Sequence, residues 1–76
     1  MIYPGNEIHT KELDKRFTYH APKNDQPERY VLIRQTAKDF AALLSANCPP
    51  SRELSLALTK LEEVCFWANA SIARNE

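Results

Sequence analysis

Residues 61–76 read LEEVCFWANASIARNE, and this stretch decides the fold because its apolar residues are not confined to one side of a helix. A helix at the surface of a small protein normally carries one apolar stripe, repeated every three or four residues. Here the apolar and small residues fall on nearly every side: Val64, Cys65, Phe66, Trp67, Ala68, Ala70, Ile72 and Ala73. The helix therefore needs more than one surface to pack against.

The length of the chain limits what those surfaces can be. A chain of 76 residues forms one domain at most, and such a domain buries only about 60% of the surface that its unfolded chain exposes. Small domains are usually stabilised by disulfides, a structural metal or self-association. Cys48 and Cys65 could form one disulfide, but the N-terminus lacks the basic start and apolar run of a signal peptide. We therefore expect a reduced, cytosolic protein.

The balance of charge and hydropathy argues against two classes of partner. The chain has ten Lys and Arg and ten Asp and Glu, so its formal net charge is zero. We therefore expect no broad basic surface for duplex nucleic acid, although a local basic cluster is compatible with this balance. No apolar run approaches the roughly 20 residues that span a bilayer, so we expect no membrane partner.

The first long helix is predicted over residues 25–47. It begins at NDQPERY, where Asp25 and Glu28 have the spacing of a capping box and Pro27 suits the first turn. It ends at NCPP, because proline cannot continue a helix and disfavours the helical conformation of the residue before it. Its apolar stripe repeats in steps of three and four: Tyr30, Ile33, Ala37, Phe40 and Leu44.

The second long helix is predicted over residues 51–75, with the hydroxyl of Ser51 as its N-cap. Its stripe repeats in the same steps: Leu54, Leu58, Leu61, Cys65, Ala68 and Ile72. Two helices of about 20 residues, each roughly 30 Å long and joined by a short connection, are expected to fold back as an antiparallel hairpin. The predicted fold class is therefore all-α.

An isolated hairpin would leave part of the second helix exposed to water. A hairpin uses one stripe of each helix, so Phe66, Trp67 and Ala70 would form a contiguous exposed patch. We therefore expect a homo-oligomer. Small residues would let its helices approach closely: Ala68, Ala70, Ser71 and Ala73. The alternative is a monomer whose N-terminal arm covers the patch with its large apolar residues: Ile2, Tyr3, Ile8, Leu13 and Phe17.

The N-terminal arm, residues 1–24, contains the charged segment NEIHTKELDKRF. Glu7 precedes Lys11 by four positions, and Glu12 precedes Arg16 by four. Oppositely charged side chains at this spacing stabilise a helix. A short first helix is therefore predicted within the arm.

The segment RFTYHAPKNDQPERY is the part of the sequence richest in binding chemistry. It combines aromatic, basic and small hydrogen-bonding side chains: Phe17, Tyr19, Tyr30, Arg16, Lys23, Arg29, Thr18, His20 and Asn24. A nucleotide base stacks on an aromatic ring while basic groups hold its phosphate, so this combination indicates a nucleotide-binding segment. The alternative is structural: Phe17 and Tyr19 anchor the loop to the helices.

Patterns for catalysis or metal binding are weak. The serines are expected on helix surfaces, and a single glycine leaves no Gly-rich phosphate loop. The histidines and cysteines match no zinc spacing: His9, His20, Cys48 and Cys65. We therefore expect no enzyme activity, no metal and no cofactor, with His20 as a hydrogen-bonding loop residue and both cysteines as small apolar residues.

Three segments together resemble a known family. FTYHAPKNDQPERY, SRELSLALTKLEE and FWANASIARNE, in this order and spacing, are similar to the small phage proteins that act as anti-CBASS and anti-Thoeris nucleotide sponges. The resemblance extends from Arg16 to Glu76. It implies an all-helical homohexamer in the cytoplasm of the infected bacterial host. Such a protein binds cyclic oligonucleotide second messengers between its protomers without cleaving them, and so blocks CBASS-type effectors.

The resemblance also implies site residues and ligands. Tyr19 corresponds to the family's base-stacking aromatic residue, and Arg34 to a basic residue that pairs with phosphate in cyclic dinucleotides such as cGAMP. Thr36, Arg74 and Asn75 correspond to a second class of pocket, which takes cyclic trinucleotides. The binding segment supplies three further candidates: Phe17, His20 and Lys23.

Other functions remain open. The apolar second helix would also suit a helical homo-oligomeric adaptor for protein–protein interaction. Cyclic ADP-ribose isomers of Thoeris signalling present bases and phosphates to the same kinds of groups, so they are an alternative ligand. The zero net charge disfavours a small regulatory nucleic-acid binder.

Overall fold

The computed structural model describes residues 6–76, and of residues 6–9 it describes only the helical backbone. The chain is all-helical: α1 spans Asn6–Phe17, α2 spans Gln26–Asn47 and α3 spans Arg52–Asn75. The described residues form no strand. The predicted all-α class is confirmed, and α2 and α3 begin and end close to the predicted residues.

Helix α1 is short and polar, and its own charges stabilise it. Arg16 Nε lies 3.1 Å from Glu12 Oε1, which confirms the second predicted i, i+4 pair. Lys15 and Arg16 occupy the last turn, where positive charge interacts favourably with the helix dipole. The first predicted pair and part of the predicted apolar cover depend on side chains outside the described residues: Ile2, Tyr3, Glu7 and Ile8.

The start of α2 lacks the predicted capping box. Asp25 precedes the helix, but its side chain makes no capping hydrogen bond, and Asp25 Oδ1 lies 3.3 Å from Arg29 Nη2 instead. Asn24 takes a left-handed conformation with φ 54°, and Asp25 follows with φ −89° and ψ 7°. An N-cap side chain normally bonds the first turn from an extended backbone, so this tight turn does not provide the capping geometry. The box predicted for Asp25 and Glu28 was therefore wrong, whereas Pro27 lies in the first turn as predicted.

The connection between α2 and α3 follows the sequence prediction. Cys48 is extended, with φ −123° and ψ 139°, as expected before Pro49. The Cys48 N–H donates to Leu44 O at 2.9 Å. Ser51 Oγ accepts from Leu54 N at 3.1 Å, which confirms Ser51 as the N-cap of α3. A cap of this kind stabilises a helix by about 1 kcal/mol.

Helices α2 and α3 make the main contact between helices in the described part of the chain. Their stripes are half-buried: Tyr30, Ile33, Ala37, Ala41 and Leu44 on α2, and Leu54, Leu58, Leu61, Cys65, Ala68 and Ile72 on α3. The α3 stripe is the predicted one. On α2 the prediction of Phe40 was wrong, because its side chain is 49% exposed. Ala41 takes its place, one full turn after Ala37.

No apolar side chain of the described residues is buried, and the only buried side chain among them is that of Gln26. Large apolar side chains remain exposed on all three helices and the loop after α1: Leu13, Phe17, Tyr19, Val31, Leu32, Phe40, Leu43, Leu56, Val64, Phe66 and Trp67. The chain measures 52 × 34 × 12 Å with a radius of gyration of 17.3 Å, whereas a compact domain of this length would have about 11 Å. A single chain is thus a thin plate with apolar groups on its outside. No described helix combines the length and hydropathy needed to cross a membrane.

Glu76 links the end of α3 to the start of α2 through three side chains. Arg29 Nη1 donates to Glu76 Oε2 at 2.8 Å, and Arg29 Nη2 donates to Glu76 Oε1. Gln26 Nε2 donates to the same Oε1 at 3.1 Å, and Lys23 Nζ donates to the main-chain oxygen of Glu76 at 2.9 Å. The hydrogen bond from Arg29, then that from Gln26, lowers the pKa of the Glu76 carboxyl to about 2. We call Lys23, Gln26, Arg29 and Glu76 the Glu76 clamp.

The Glu76 clamp predicts a pH dependence of stability. The Glu76 carboxyl has a pKa of about 2 in the fold against an ordinary value of 4.5. A lowered pKa stabilises the fold above the ordinary value, and this stabilisation is lost as the pH falls towards the folded value. The other charged groups around the carboxyl are Lys23, Asp25 and Arg29.

In Glu76→Gln this contribution is absent. The difference between wild type and variant in the urea concentration at the midpoint of unfolding should therefore decrease as the pH falls from about 5 to about 2. Comparing the two proteins removes the pH dependence that they share through their other carboxylates. A gap of constant width over this range would contradict the assignment.

Candidate functional site

The described residues form a pocket of about 530 Å³ beside the loop of residues 18–25. It is lined from the end of α1, the loop, the first half of α2 and the last turns of α3: Arg16, Thr18, Tyr19, His20, Tyr30, Arg34, Asn69, Ala70, Ala73 and Arg74. We call it the basic–aromatic pocket. It combines three guanidinium groups with two phenol rings, and none of its lining residues is acidic.

Helical spacing places the pocket residues of α2 and α3 on one face of each helix. Tyr30 and Arg34 are one turn apart on α2. Ala70, Ala73 and Arg74 are likewise separated by three and four positions on α3. The sequence suggested that these alanines allow close helix approach. In this chain they also leave open the space that larger side chains would fill.

The loop presents its aromatic ring to solvent. Tyr19 is 83% exposed and Phe17 is 81% exposed, so neither ring anchors the loop within this chain, and the structural alternative for them was wrong. His20 Nε2 lies 2.9 Å from Lys15 O, which confirms His20 as a hydrogen-bonding loop residue. Since His20 ties the loop to the end of α1, the neighbouring Tyr19 ring is held at the pocket with an open face for stacking.

The pocket has an excess of positive charge. Arg16 is partly compensated by Glu12, since Arg16 Nε and Glu12 Oε1 are 3.1 Å apart. Arg34 and Arg74 make no side-chain hydrogen bond or ion pair with any of the described residues. Guanidinium groups bind phosphate through paired, charge-assisted hydrogen bonds. The pocket therefore suits an anionic ligand with an aromatic part.

The structure brings together only some of the predicted site residues. Tyr19, His20, Arg34 and Arg74 line the basic–aromatic pocket. The side chains of the other four predicted residues are not part of its lining: Phe17, Lys23, Thr36 and Asn75.

Two of those four residues are already hydrogen-bonded. Lys23 belongs to the Glu76 clamp. Asn75 Nδ2 donates to Ser71 O at 2.9 Å within α3. Thr36 lines a separate groove, so a single chain does not assemble the predicted constellation of Thr36, Arg74 and Asn75.

Sequence reasoning did not identify Asn69 as a site residue, and it named Tyr30 only as part of the binding segment. Tyr30 precedes the predicted Arg34 by one helical turn, and this spacing is visible in the sequence. Asn69 is a polar residue within the apolar stretch of α3, which is also a recognisable signal. Its Oδ1 atom is buried and has no hydrogen-bond partner among the described residues. Buried amide oxygens normally have a partner, so Asn69 stands out as an unsatisfied group at the pocket.

Two apolar grooves lie between α2 and α3. One, of about 430 Å³, is lined by Arg34, Ala37, Lys38, Ala41, Leu58, Leu61, Glu62, Cys65, Phe66 and Asn69. The other, of about 300 Å³, is lined by Leu32, Ile33, Thr36, Ala37, Phe40, Leu61, Val64 and Cys65. Their apolar linings suit protein side chains better than phosphate groups.

The two cysteines do not form a disulfide. Cys48 and Cys65 are free thiols and half-buried, as expected of small apolar residues. No group of His, Cys, Asp and Glu in the described part of the chain is placed to hold a metal ion.

The pocket of this helical chain combines tyrosine rings with guanidinium groups that have no partner among the described residues. This combination is typical of proteins that bind anionic aromatic ligands. The family model described as Acb2/Tad1, hairpin domain, matches residues 9–73. The chain belongs to this family, the anti-CBASS and anti-Thoeris sponges, which is associated with sequestering cyclic nucleotide signals. Neither the comparison with curated proteins nor the comparison with solved structures finds a match.

Proposed function

We propose that this protein binds and sequesters cyclic oligonucleotide second messengers and thereby prevents them from activating CBASS-type effectors of the bacterial host. The proposed ligands are cyclic dinucleotides such as cGAMP, with cyclic trinucleotides as a second class. The observation that carries the proposal is the basic–aromatic pocket, in which Arg34 and Arg74 have no anionic partner among the described residues while Tyr19 offers an open ring face. Membership of the sponge family supports the same ligand class.

The pocket matches the chemistry of a cyclic dinucleotide. Such a ligand carries two bases and two phosphodiester groups, each phosphodiester with one negative charge. A base stacked on Tyr19 contributes about 1 to 3 kcal/mol. Arg34 and Arg74 can hold phosphate oxygens, and the half-buried Tyr30 adds a second apolar surface.

We place this protein among sponges and not among enzymes. The imidazole that lines the pocket, that of His20, is engaged with Lys15 O at 2.9 Å, and no carboxylate lines the pocket beside it. A general base must reach the proton that it removes from a nucleophile. The proposed action is therefore retention of the intact ligand, in the cytoplasm of the infected bacterium where the signal is made.

The proposed architecture is an antiparallel hairpin of α2 and α3 that assembles into a homo-oligomer, a hexamer by family resemblance. The contact of Glu76 at the end of α3 with Arg29 at the start of α2 supports the antiparallel arrangement. The exposure of Phe66 and Trp67, 62% and 65%, supports self-association, because a soluble monomer rarely leaves such a patch uncovered.

Two alternatives rest on particular observations. The apolar groove of about 430 Å³ favours a homo-oligomeric adaptor that takes side chains of another protein. The same basic–aromatic pocket also suits cyclic ADP-ribose isomers, which carry adenine and a pyrophosphate. Calorimetric titration with a panel of cyclic dinucleotides, cyclic trinucleotides and cyclic ADP-ribose isomers separates these functions, because an adaptor binds none of them.

Light scattering on the purified protein should report a mass several times that of the 8.7 kDa chain. Trp67→Glu should reduce this mass, because it would bury an unpaired charge between protomers. Thr59→Glu, at an exposed polar position of the same helix, is the matched control and should leave the mass unchanged. A monomeric wild type would overturn the proposed assembly.

Tyr19→Ala should weaken cGAMP binding by about one to two orders of magnitude, because the stacking surface is lost. Tyr19→Phe should bind nearly as well, since the ring face remains. Phe17→Ala removes a ring that is equally exposed but outside the pocket, so it should have a much smaller effect. Equal losses for Tyr19→Ala and Phe17→Ala would contradict the stacking role of Tyr19.

Arg34→Ala should cost on the order of 1.5 to 3 kcal/mol of cGAMP binding, because a charged hydrogen bond to phosphate is removed. Arg34→Lys should recover only part of this, since Lys lacks the planar fork. Lys38→Ala, one turn further along α2 and outside the pocket, controls for the loss of a positive charge. Calorimetry on all three variants is the measurement, and unchanged binding by Arg34→Ala would place the phosphate site elsewhere.

Heating the cGAMP complex until the protein unfolds should return cGAMP chemically intact, because sequestration breaks no covalent bond. Chromatography of the released nucleotide is the measurement, with ligand heated alone as the control. Recovery of a linear or hydrolysed product that depends on the protein would show an enzyme instead.

A further inference from the structure

The Glu76 clamp lies next to the basic–aromatic pocket without contributing a side chain to its lining. On one wall, Arg74 lines the pocket and Glu76 follows two residues later. On the other wall, Tyr19 and His20 line the pocket, and Lys23 of the clamp follows in the same loop. The clamp therefore joins the wall formed by α3 to the wall that carries the stacking ring.

Gln26 connects the clamp to the loop backbone. Its Oε1 accepts from Lys23 N at 3.1 Å, and its own N–H donates to Lys23 O at 3.0 Å. Its Nε2 donates to Glu76 Oε1 at 3.1 Å, so one side chain holds both the loop and the end of α3. This side chain is 3% exposed, the lowest value among the described residues. Shielded hydrogen bonds resist competition from water, so Gln26 is a rigid link.

The other end of the loop has its own attachment. His20 Nε2 lies 2.9 Å from Lys15 O, which fixes the loop to the end of α1. Pro22 lies between the two attachments and restricts the backbone there. Because no apolar side chain of the described residues is buried, the loop is held by these polar contacts and not by a core.

We infer that Glu76 is a positioning residue: by holding Lys23, Gln26 and Arg29 it fixes the loop that presents Tyr19, and so sets the affinity of the basic–aromatic pocket without touching the ligand. The part that concerns affinity rests on the proposed function. Glu76 lies beyond residues 9–73, the range matched by the family model, so this role does not come from the family match.

The inference also reassigns Lys23. The sequence suggested that its ammonium group contacts ligand, but Lys23 Nζ donates to the main-chain oxygen of Glu76 at 2.9 Å. In this arrangement Lys23 acts on the ligand through the loop.

Hydrogen–deuterium exchange of the loop amides in the ligand-free, full-length protein tests the positioning directly. Glu76→Gln keeps the shape of the side chain but removes the charge that holds Arg29, and should speed exchange about tenfold at the Lys23 and Gln26 amides, which are hydrogen-bonded within the clamp. Glu76→Asp keeps the charge on a shorter side chain and should recover part of the protection. Glu63→Gln breaks the Lys60–Glu63 pair on the same helix away from the pocket, and should leave loop exchange unchanged.

Calorimetry with cGAMP on the same proteins gives the second readout. Glu76→Gln should bind about tenfold more weakly, Glu76→Asp at an intermediate level, and Glu63→Gln like the wild type. Light scattering should give the same mass for all four proteins. Unchanged loop exchange in Glu76→Gln would overturn the inference, and so would faster exchange with unchanged affinity. A loss of assembly would also overturn it, because Glu76 would then be merely structural. A wild type that binds no cyclic nucleotide would overturn the proposed function and the affinity role, while loop exchange would still decide whether Glu76 positions the loop.

Discussion

A pair of helices is too thin to enclose an apolar side chain, and this constraint governs the rest of the structure. Each apolar residue on the facing stripes of α2 and α3 has a neighbour on one side only, so the stripes are half-buried. The hydrophobic effect scales with the area removed from water, so this contact captures only part of the stabilisation that the sequence offers. The apolar residues that stay exposed, such as Trp67, would supply further stabilisation if they were buried by association with another chain.

The same constraint explains why polar contacts hold the loop that lies beside the basic–aromatic pocket. Without a core to hold it, the loop after α1 is attached by His20 at one end and by Gln26 with Glu76 at the other. Hydrogen bonds fix direction as well as distance, which a nonspecific apolar contact does not. A ring such as that of Tyr19 can therefore stay exposed and still have a defined position.

Local features of the fold were predictable from the sequence, and long-range contacts were not. Proline and the Ser51 cap act within a few residues, so the ends of α2 and α3 could be predicted. The capping box failed because the left-handed turn at Asn24 leaves Asp25 without the extended backbone from which a cap side chain bonds the first turn. Arg29 and Glu76 are 47 positions apart, and no local pattern indicates their pairing. Tyr19 and Arg34 were predicted through the resemblance to the sponge family, whereas Asn69 reaches the pocket only because the fold brings α3 beside the loop.

Zero net charge is compatible with the proposed binding of an anion in the pocket, because charge acts locally in salt solution. At physiological ionic strength the screening length is about 8 Å, so a ligand in the pocket is influenced mainly by the arginines that line it. Glu53, in the first turn of α3, lies about 30 Å from Arg74 along the helix and is screened from the pocket. A long nucleic acid would face both signs of charge along its length, and its binding depends on neutralising many phosphates. A small cyclic ligand that fits beside Arg34 and Arg74 meets only the positive region, so the charge pattern favours compact anions over polymers.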